Sequence, residues 1–299
     1  MVTHPSPRGV RGPAPRERVG TPIQVQPQVQ TRRWRRAFGR ADGYGVPVLA
    51  LPIVVRCALW GARWLGGRGD LDDVVGNVHS GAATDIAGPF KATLRDWAER
   101  GETAVFLALP RPGLLTGMPR APLAVTAAAT DVGQAAYAPT VGGALVPALT
   151  RFGPEGDTGV LATWAAYETE PVPRHIAEAP DVGDLSRRLT EAVQEATTRL
   201  ATVGGIPWRG GEATPPPRAR VPGLPPGLAP RPLHLLDRAG DVRALALAGL
   251  GVEESGAALD ASTSAERTAV LRRLLTEAEA TLVGATNVLS MSLAGWRPA

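Results

Sequence analysis

With 299 residues, 44% of them apolar and 20% charged, the chain is long enough for one large domain or two modest ones and too apolar to be wholly unfolded. A single cysteine, Cys57, excludes a disulfide within the chain and any multi-cysteine metal site, which makes a reducing cytoplasm the expected compartment. The net charge of +4 conceals a split: residues 1–45 hold nine arginines against Glu17 and Asp42, a net +7, whereas the rest hold 23 basic and 26 acidic side chains, a net −3.

Residues 1–45 are rich in Pro, Gly, Gln and Arg and have almost no aliphatic clustering, so they cannot bury enough surface to offset their ordering entropy. A disordered basic arm is expected. Within it, Thr31–Arg40 carries Arg32, Arg33, Arg35, Arg36 and Arg40 with Trp34 and Phe38 between them. Such a cluster suits an acidic partner. Guanidinium groups neutralise phosphates while the aromatics stack on bases, or the same residues settle into the headgroups of an anionic membrane, or they meet an acidic protein.

Val46 to Trp60 is apolar but short, is broken by Pro47 and Pro52 and carries Arg56, so it does not span a membrane. A strand or buried segment is expected there, with Trp60 and Trp64 as anchors. Gly66–Asp70 is a loop. Asp70 then opens a short helix with a carboxylate at its positive end. A second helix is expected from Thr84 to Arg100, with Pro89 in its first turn and Ile86, Phe90, Leu94 and Trp97 on its apolar stripe.

Between these helices lie Asp72, Asp73, Asn77, His79, Ser80 and Asp85. A His–Asp pair can do acid–base work, so His79 and Asp85 are the catalytic candidates. Helix caps and turns use the same residue types, and no ligand spacing or nucleophile elbow supports more. Phosphate-loop and dinucleotide fingerprints are missing, so no cofactor and no metal is expected.

From Glu102 to Val203 the pattern turns to strands closed by one helix. Thr103–Leu109 is an apolar run of strand length, and Leu123–Ala129 reads as a weaker strand. Gly143–Phe152 and Thr158–Glu168 form a hairpin around Gly153–Asp157. The second arm is apolar on both faces, which predicts cover on both sides. Pro147 pushes the first arm towards an edge or a bulge. Asp181 or Asp184 caps a helix whose apolar stripe runs Val182, Leu185, Leu189, Val193, Ala196, Leu200 and Val203. The preceding sheet is its expected partner, and Glu195 with Arg199 is a favourable i,i+4 pair.

Residues 209–232 are a proline-rich spacer. Leu233–Leu250 is expected to be helical and to end at Gly249–Gly251. A capping box at Thr263–Glu266 opens a last helix, which Gly284 kinks or ends. Two helices make a weak core alone, so they dock on the sheet or on a second copy of the chain.

The expected organisation is α+β: a disordered basic arm (1–45), an α+β body with a small, mostly antiparallel sheet covered by amphipathic helices (46–208), a linker (209–232) and a helical C-terminal segment (233–299). The expected function is that of a non-enzymatic binding or regulatory protein whose arm meets an acidic partner. The alternative is a small-molecule enzyme with its site near His79 and Asp85.

Overall fold

The computed structural model of the chain describes residues 1, 51–80, 82–154, 157–174, 180–203, 223–254 and 261–297. The chain divides into the units Met1–Tyr44 and Gly45–Ala299, and every element below lies in the second. The fold is α+β. Its sheet is mixed rather than mostly antiparallel, and one core extends under every helix but Leu123–Val132, which packs on two smaller clusters.

Ile53–Leu65 is helix α1: of the two expected alternatives the buried segment holds and the strand does not. Its valines favour β-structure, but the segment is buried on nearly every side, and tertiary burial outweighs a propensity of a few tenths of a kcal/mol per residue, roughly. Pro52 sits at its N-cap, where no amide donor is needed. At Gly61 a methyl group would stand 2.9 Å from Val105 Cγ2, so glycine sets how closely α1 approaches the chain entering the sheet. Trp60 does act as an anchor, its Nε1 donating to the Gly223 carbonyl at 2.7 Å where the proline-rich segment returns to the body.

Helix α2 is Leu71–His79, capped as expected by Asp70, whose carboxylate accepts from the Asp72 amide at 2.6 Å. The helix expected from Thr84 begins only at Phe90: α3 is Phe90–Glu99, with Pro89 as its N-cap. Upstream, Asp85–Ala87 forms strand β1, because Gly88, at φ +92, turns the chain out of helical geometry against the Trp164 carbonyl. Ile86 therefore belongs to the sheet, whereas Phe90, Leu94 and Trp97 are buried as the helical stripe requires.

Strand β2 is Phe106–Ala108. The weaker strand expected at Leu123–Ala129 is instead helix α4, Leu123–Val132. Alanine is the best helix former, Pro122 opens the helix and Gly133 closes it in the left-handed region at φ +77. Strand β3, Ala135–Tyr137, is too short to leave a period in the sequence. The hairpin arms are β4, Ala144–Phe152, and β5, Gly159–Tyr167, paired along their whole length from Ala144↔Tyr167 to Phe152↔Gly159.

The strand order is β1-β5-β4-β3-β2, with β1 parallel to β5 and the other neighbours antiparallel. β4 is interior at Ala144 and Leu145, where β3 pairs with it, and has no β3 partner beyond. Pro147 falls in that free stretch, opposite Trp164 of β5, where its missing N–H costs no β3–β4 bond. On β5, Ala162 and Trp164 are buried while Thr163 is exposed and Ala165 half-buried, so the second face is covered at the Tyr167 end and not along the whole strand. Among the described residues the sheet is covered on both faces at β2, β3, the start of β4 and that end of β5. Leu107 and Leu145 enter the main core there, and Phe106, Tyr137 and Ala144 pack on the opposite side with Val125, Val288 and Met291.

Helix α5, Val182–Thr202, is capped by Asp181, which accepts from the Asp184 amide at 3.0 Å. Two long helices follow, α6 (Pro230–Glu254) and α7 (Ala261–Leu293). The α5 stripe packs chiefly on α7 rather than on the sheet. At Gly284 a methyl would lie 2.6 Å from Leu185 Cδ1, and at Gly249 one would lie 3.0 Å from Leu271 Cδ1. Both glycines are thus points of close helix contact, and neither ends its helix. Glu195 pairs with Arg199 at 3.4 Å, as the spacing predicts, and across the interface with Arg273 at 2.9 Å.

The C-terminal helices dock on the same chain. Leu235, Leu236, Leu282 and Leu289 belong to the core that holds α1 and the sheet. Alpha7 also covers the sheet's β2 edge: the Leu107 amide donates to Asn287 Oδ1 at 3.0 Å, and Ser290 Oγ accepts from the Val105 amide at 3.2 Å and donates to its carbonyl at 2.6 Å. Side chains of a helix thereby satisfy the backbone groups that an open edge would offer to another strand.

Candidate functional site

The structure separates the two catalytic candidates by role. His79, at the C-terminus of α2, is 4% exposed. Its Nδ1 lies 2.7 Å from the Val75 carbonyl, and its Nε2 accepts from Trp164 Nε1 at 2.8 Å. Those two partners select the neutral tautomer with the proton on Nδ1. Phe90 and Trp164 meet the ring edge-on at 5.2 and 5.8 Å between centroids. Both nitrogens are spent on the protein, so this histidine positions the α2–β5 contact and has no free lone pair with which to take a proton from a substrate. Asp85 is exposed at the head of β1, where its Oδ1 accepts from the Ile86 amide at 2.8 Å. Their neighbours Asp72 and Asn77 serve as an ion-pair partner for Lys91 and as a donor to the Asp73 carbonyl.

Burial holds the His79 imidazole below its ordinary pKa, with the Val75 hydrogen bond opposing it. The unfolded chain takes up this proton near pH 6.5, the folded chain only lower. The stabilisation is therefore complete above pH 6.5 and is lost as pH falls through that value towards the folded pKa. Thermal midpoints measured from pH 7.5 to 5 will fall more steeply for the native chain than for His79→Gln. Parallel curves would show that the ring does not resist protonation.

The arginine cluster of the arm, Arg32, Arg33, Arg35, Arg36 and Arg40 with Trp34 and Phe38, lies outside the described residues.

What the sequence did not reveal is a cavity of about 650 Å³ beside the first turns of α5. Its apolar lining includes Phe106, Met118, Tyr137, Val172, Leu185 and Val283, and its polar lining includes Asp181, Asp184, Arg187, Arg188 and Asn287. This volume is in the range that encloses a small organic ligand. Asn287 and Tyr137 are 7% and 5% exposed. The Leu107 amide fixes Asn287 by binding its Oδ1, which leaves the Nδ2 hydrogens without a protein partner among the described residues. The Tyr137 hydroxyl likewise has none, and burial raises its pKa far above the phenol range.

The charged rim holds two carboxylates and two guanidinium groups that are differently engaged. Arg187 pairs with Asp184, and Asp181 is held below the usual carboxylate range chiefly by the Asp184 amide it accepts from. Arg188 is exposed and has no ion-pair partner among the described residues. A second cavity of about 580 Å³, lined by Ser186, Arg187, Arg231, His234 and Arg238, lies on the other side of the same two turns. The one sequence signal for the first cavity was Asn287, a polar residue inside a mostly apolar helical run.

Residues 54–179 match the family model described as Rv1486c-like protein, N-terminal domain, and residues 183–283 match that of the C-terminal domain. No curated protein and no solved structure matches the chain. The two matches meet at the cap of α5, and the cavity draws Phe106 and Tyr137 from the first and Leu185 and Val283 from the second.

Proposed function

We propose, from the premise that the chain belongs to the Rv1486c-like family, that it is a non-enzymatic binding or regulatory protein that holds an acidic macromolecule through its N-terminal arginines. The observation that carries this reading is the segregation of charge, +7 in residues 1–45 against −3 in the remainder, with Trp34 and Phe38 set among the densest arginines. Cationic attraction is concentrated in one segment while the body repels the same partner weakly. The engagement of both His79 nitrogens by Val75 and Trp164 supports binding over the enzymatic alternative. Among the described residues no helix is long and apolar enough to cross a membrane, so an anionic bilayer would be met at its surface.

The test is titration of the full chain with a fluorescent single-stranded oligonucleotide and, separately, flotation with vesicles with and without anionic lipid. If phosphates of a single strand are the target, log affinity falls with log salt at about −0.7 per contacted phosphate, and Trp34→Ala weakens binding by roughly 1–3 kcal/mol through lost stacking. Binding to anionic vesicles alone assigns the arm to a membrane surface. No binding to either at low ionic strength, where attraction is greatest, would sink the proposal.

A further inference from the structure

We infer that the cavity beside α5 is a binding site for a small amphipathic anion, distinct from the macromolecular partner of the arm. Its apolar body would lie against Phe106, Leu185 and Val283, and its oxygens would take the Nδ2 hydrogens of Asn287, the hydroxyl of Tyr137 and, at the mouth, the guanidinium of Arg188.

Three observations converge on that chemistry. First, the floor is apolar and built from rigid elements: a strand on one side and two packed helices on the other, brought together where Gly284 admits Leu185. A site of this kind binds mainly by removing ligand surface from water, with a few fixed polar groups setting orientation. Second, the buried polar residues that line it offer donors, the carboxylates of Asp181 and Asp184 being exposed. Asn287 has already committed its carbonyl oxygen to the Leu107 amide, so only N–H remains to face a ligand. An acceptor placed in the cavity would pair with that donor. The Tyr137 hydroxyl can donate as well.

Third, one guanidinium group of the lining is left without an ion pair, although its two carboxylates and two arginines sum to zero. The carboxylate of Asp184 is matched by Arg187, and that of Asp181 by the amides of the helix it caps. Arg188 has no ion-pair partner among the described residues. An anion at the mouth would gain from that guanidinium what a neutral molecule would not. A carboxylate or sulfonate on a compact aromatic or branched apolar frame fits all three features.

The experiment uses the full chain and the fluorescent probe 8-anilinonaphthalene-1-sulfonate, with the uncharged dye Nile red as its counterpart. The native protein is expected to bind one equivalent of the sulfonate saturably. Val172→Trp fills the rim with a bulky ring and is expected to weaken both probes by at least about tenfold, which is 1.4 kcal/mol of binding. Its circular dichroism melt checks the fold, and Met118→Trp replaces it if cooperativity is lost. Arg188→Glu, on an exposed side chain, is expected to weaken the sulfonate about tenfold and to leave Nile red unchanged. The arm is identical in every variant, so any sulfonate it attracts is common to all. Equal probe binding by the native protein and the rim-filling variants would overturn the site. An equal loss of both dyes in Arg188→Glu would overturn its preference for an anion. Neither result bears on the arm, whose binding the oligonucleotide and vesicle assays read separately.

Discussion

Replacing Glu279 by alanine is expected to cost about 3–5 kcal/mol of folding stability, because it strands two guanidinium groups in the interior. The Glu279 side chain is 4% exposed on α7, with Arg243 Nε of α6 at 3.3 Å from one oxygen. Arg111 Nη2, from the turn after β2, is 2.6 Å from the other, close but without hydrogen-bond alignment. The three residues tie the sheet's exit to both C-terminal helices, and their charges sum to +1. Burial raises the Glu279 carboxyl and lowers Arg243 by more than their mutual attraction opposes. The triad is thus expensive to hold, and its value lies in specifying which helix face meets which turn.

That reasoning yields a paired outcome in denaturant titrations. Glu279→Ala alone shifts the midpoint strongly downwards. The triple replacement Arg111→Met, Arg243→Met, Glu279→Leu returns stability to within about 1 kcal/mol of the native chain or above it, since an apolar triad avoids the desolvation cost. If the single variant melts like the native protein, the carboxylate is not what compensates those arginines.

Glu102 should show the second large effect. Its carboxylate, 2% exposed, accepts four backbone amides: Oε1 takes Thr103 at 2.9 Å and Ala104 at 3.1 Å, and Oε2 takes Thr140 at 2.7 Å and Val141 at 3.1 Å. One side chain thus pins the loop between β3 and β4 to the chain that enters β2. Alanine at this position leaves those amides unsatisfied, at about 1–3 kcal/mol for each that water does not reach, so a loss of roughly 3–5 kcal/mol is expected. Glutamine retains one acceptor oxygen and should lose about half as much. Hydrogen exchange will show the mechanism: the amides of Thr140 and Val141 should exchange faster in Glu102→Ala than those of α7. Uniform acceleration throughout the chain would mean that Glu102 does not act through this loop.

What the sequence determined by itself was carried by periods and caps, though not by every one: Ile86 left its stripe for β1, and α7 begins at Ala261, ahead of the Thr263 capping box. The α5 stripe, the Asp70 and Asp181 caps, the β4–β5 hairpin around its turn residues, and the Glu195–Arg199 pair all follow from spacings of two, three and four residues. So does the charge split of the chain, which no fold alters. Local letters misled where long-range contact set the outcome. The valines of α1 became helix because that segment is buried almost all round, where strand and helix patterns look alike. Alanines at 123–129 carry no period and took the helix that their propensity favours. Gly249 and Gly284, helix enders by local reading, are places where two helices pack too closely for a larger side chain to enter freely.

The candidate site was beyond local reading altogether. Tyr137, Leu185 and Asn287 lie far apart in the chain, and what makes them a site is the docking of α7 on the β2 edge and of α5 on α7. His79 shows the converse. Its residue type announced chemistry, but the carbonyl of Val75 and the indole of Trp164 consumed both nitrogens, and only the parallel pairing of β1 with β5 brings that indole to it. Hydrogen bonds between distant residues decide whether a polar side chain is available to a ligand or is already spent, and no spacing in a sequence records them.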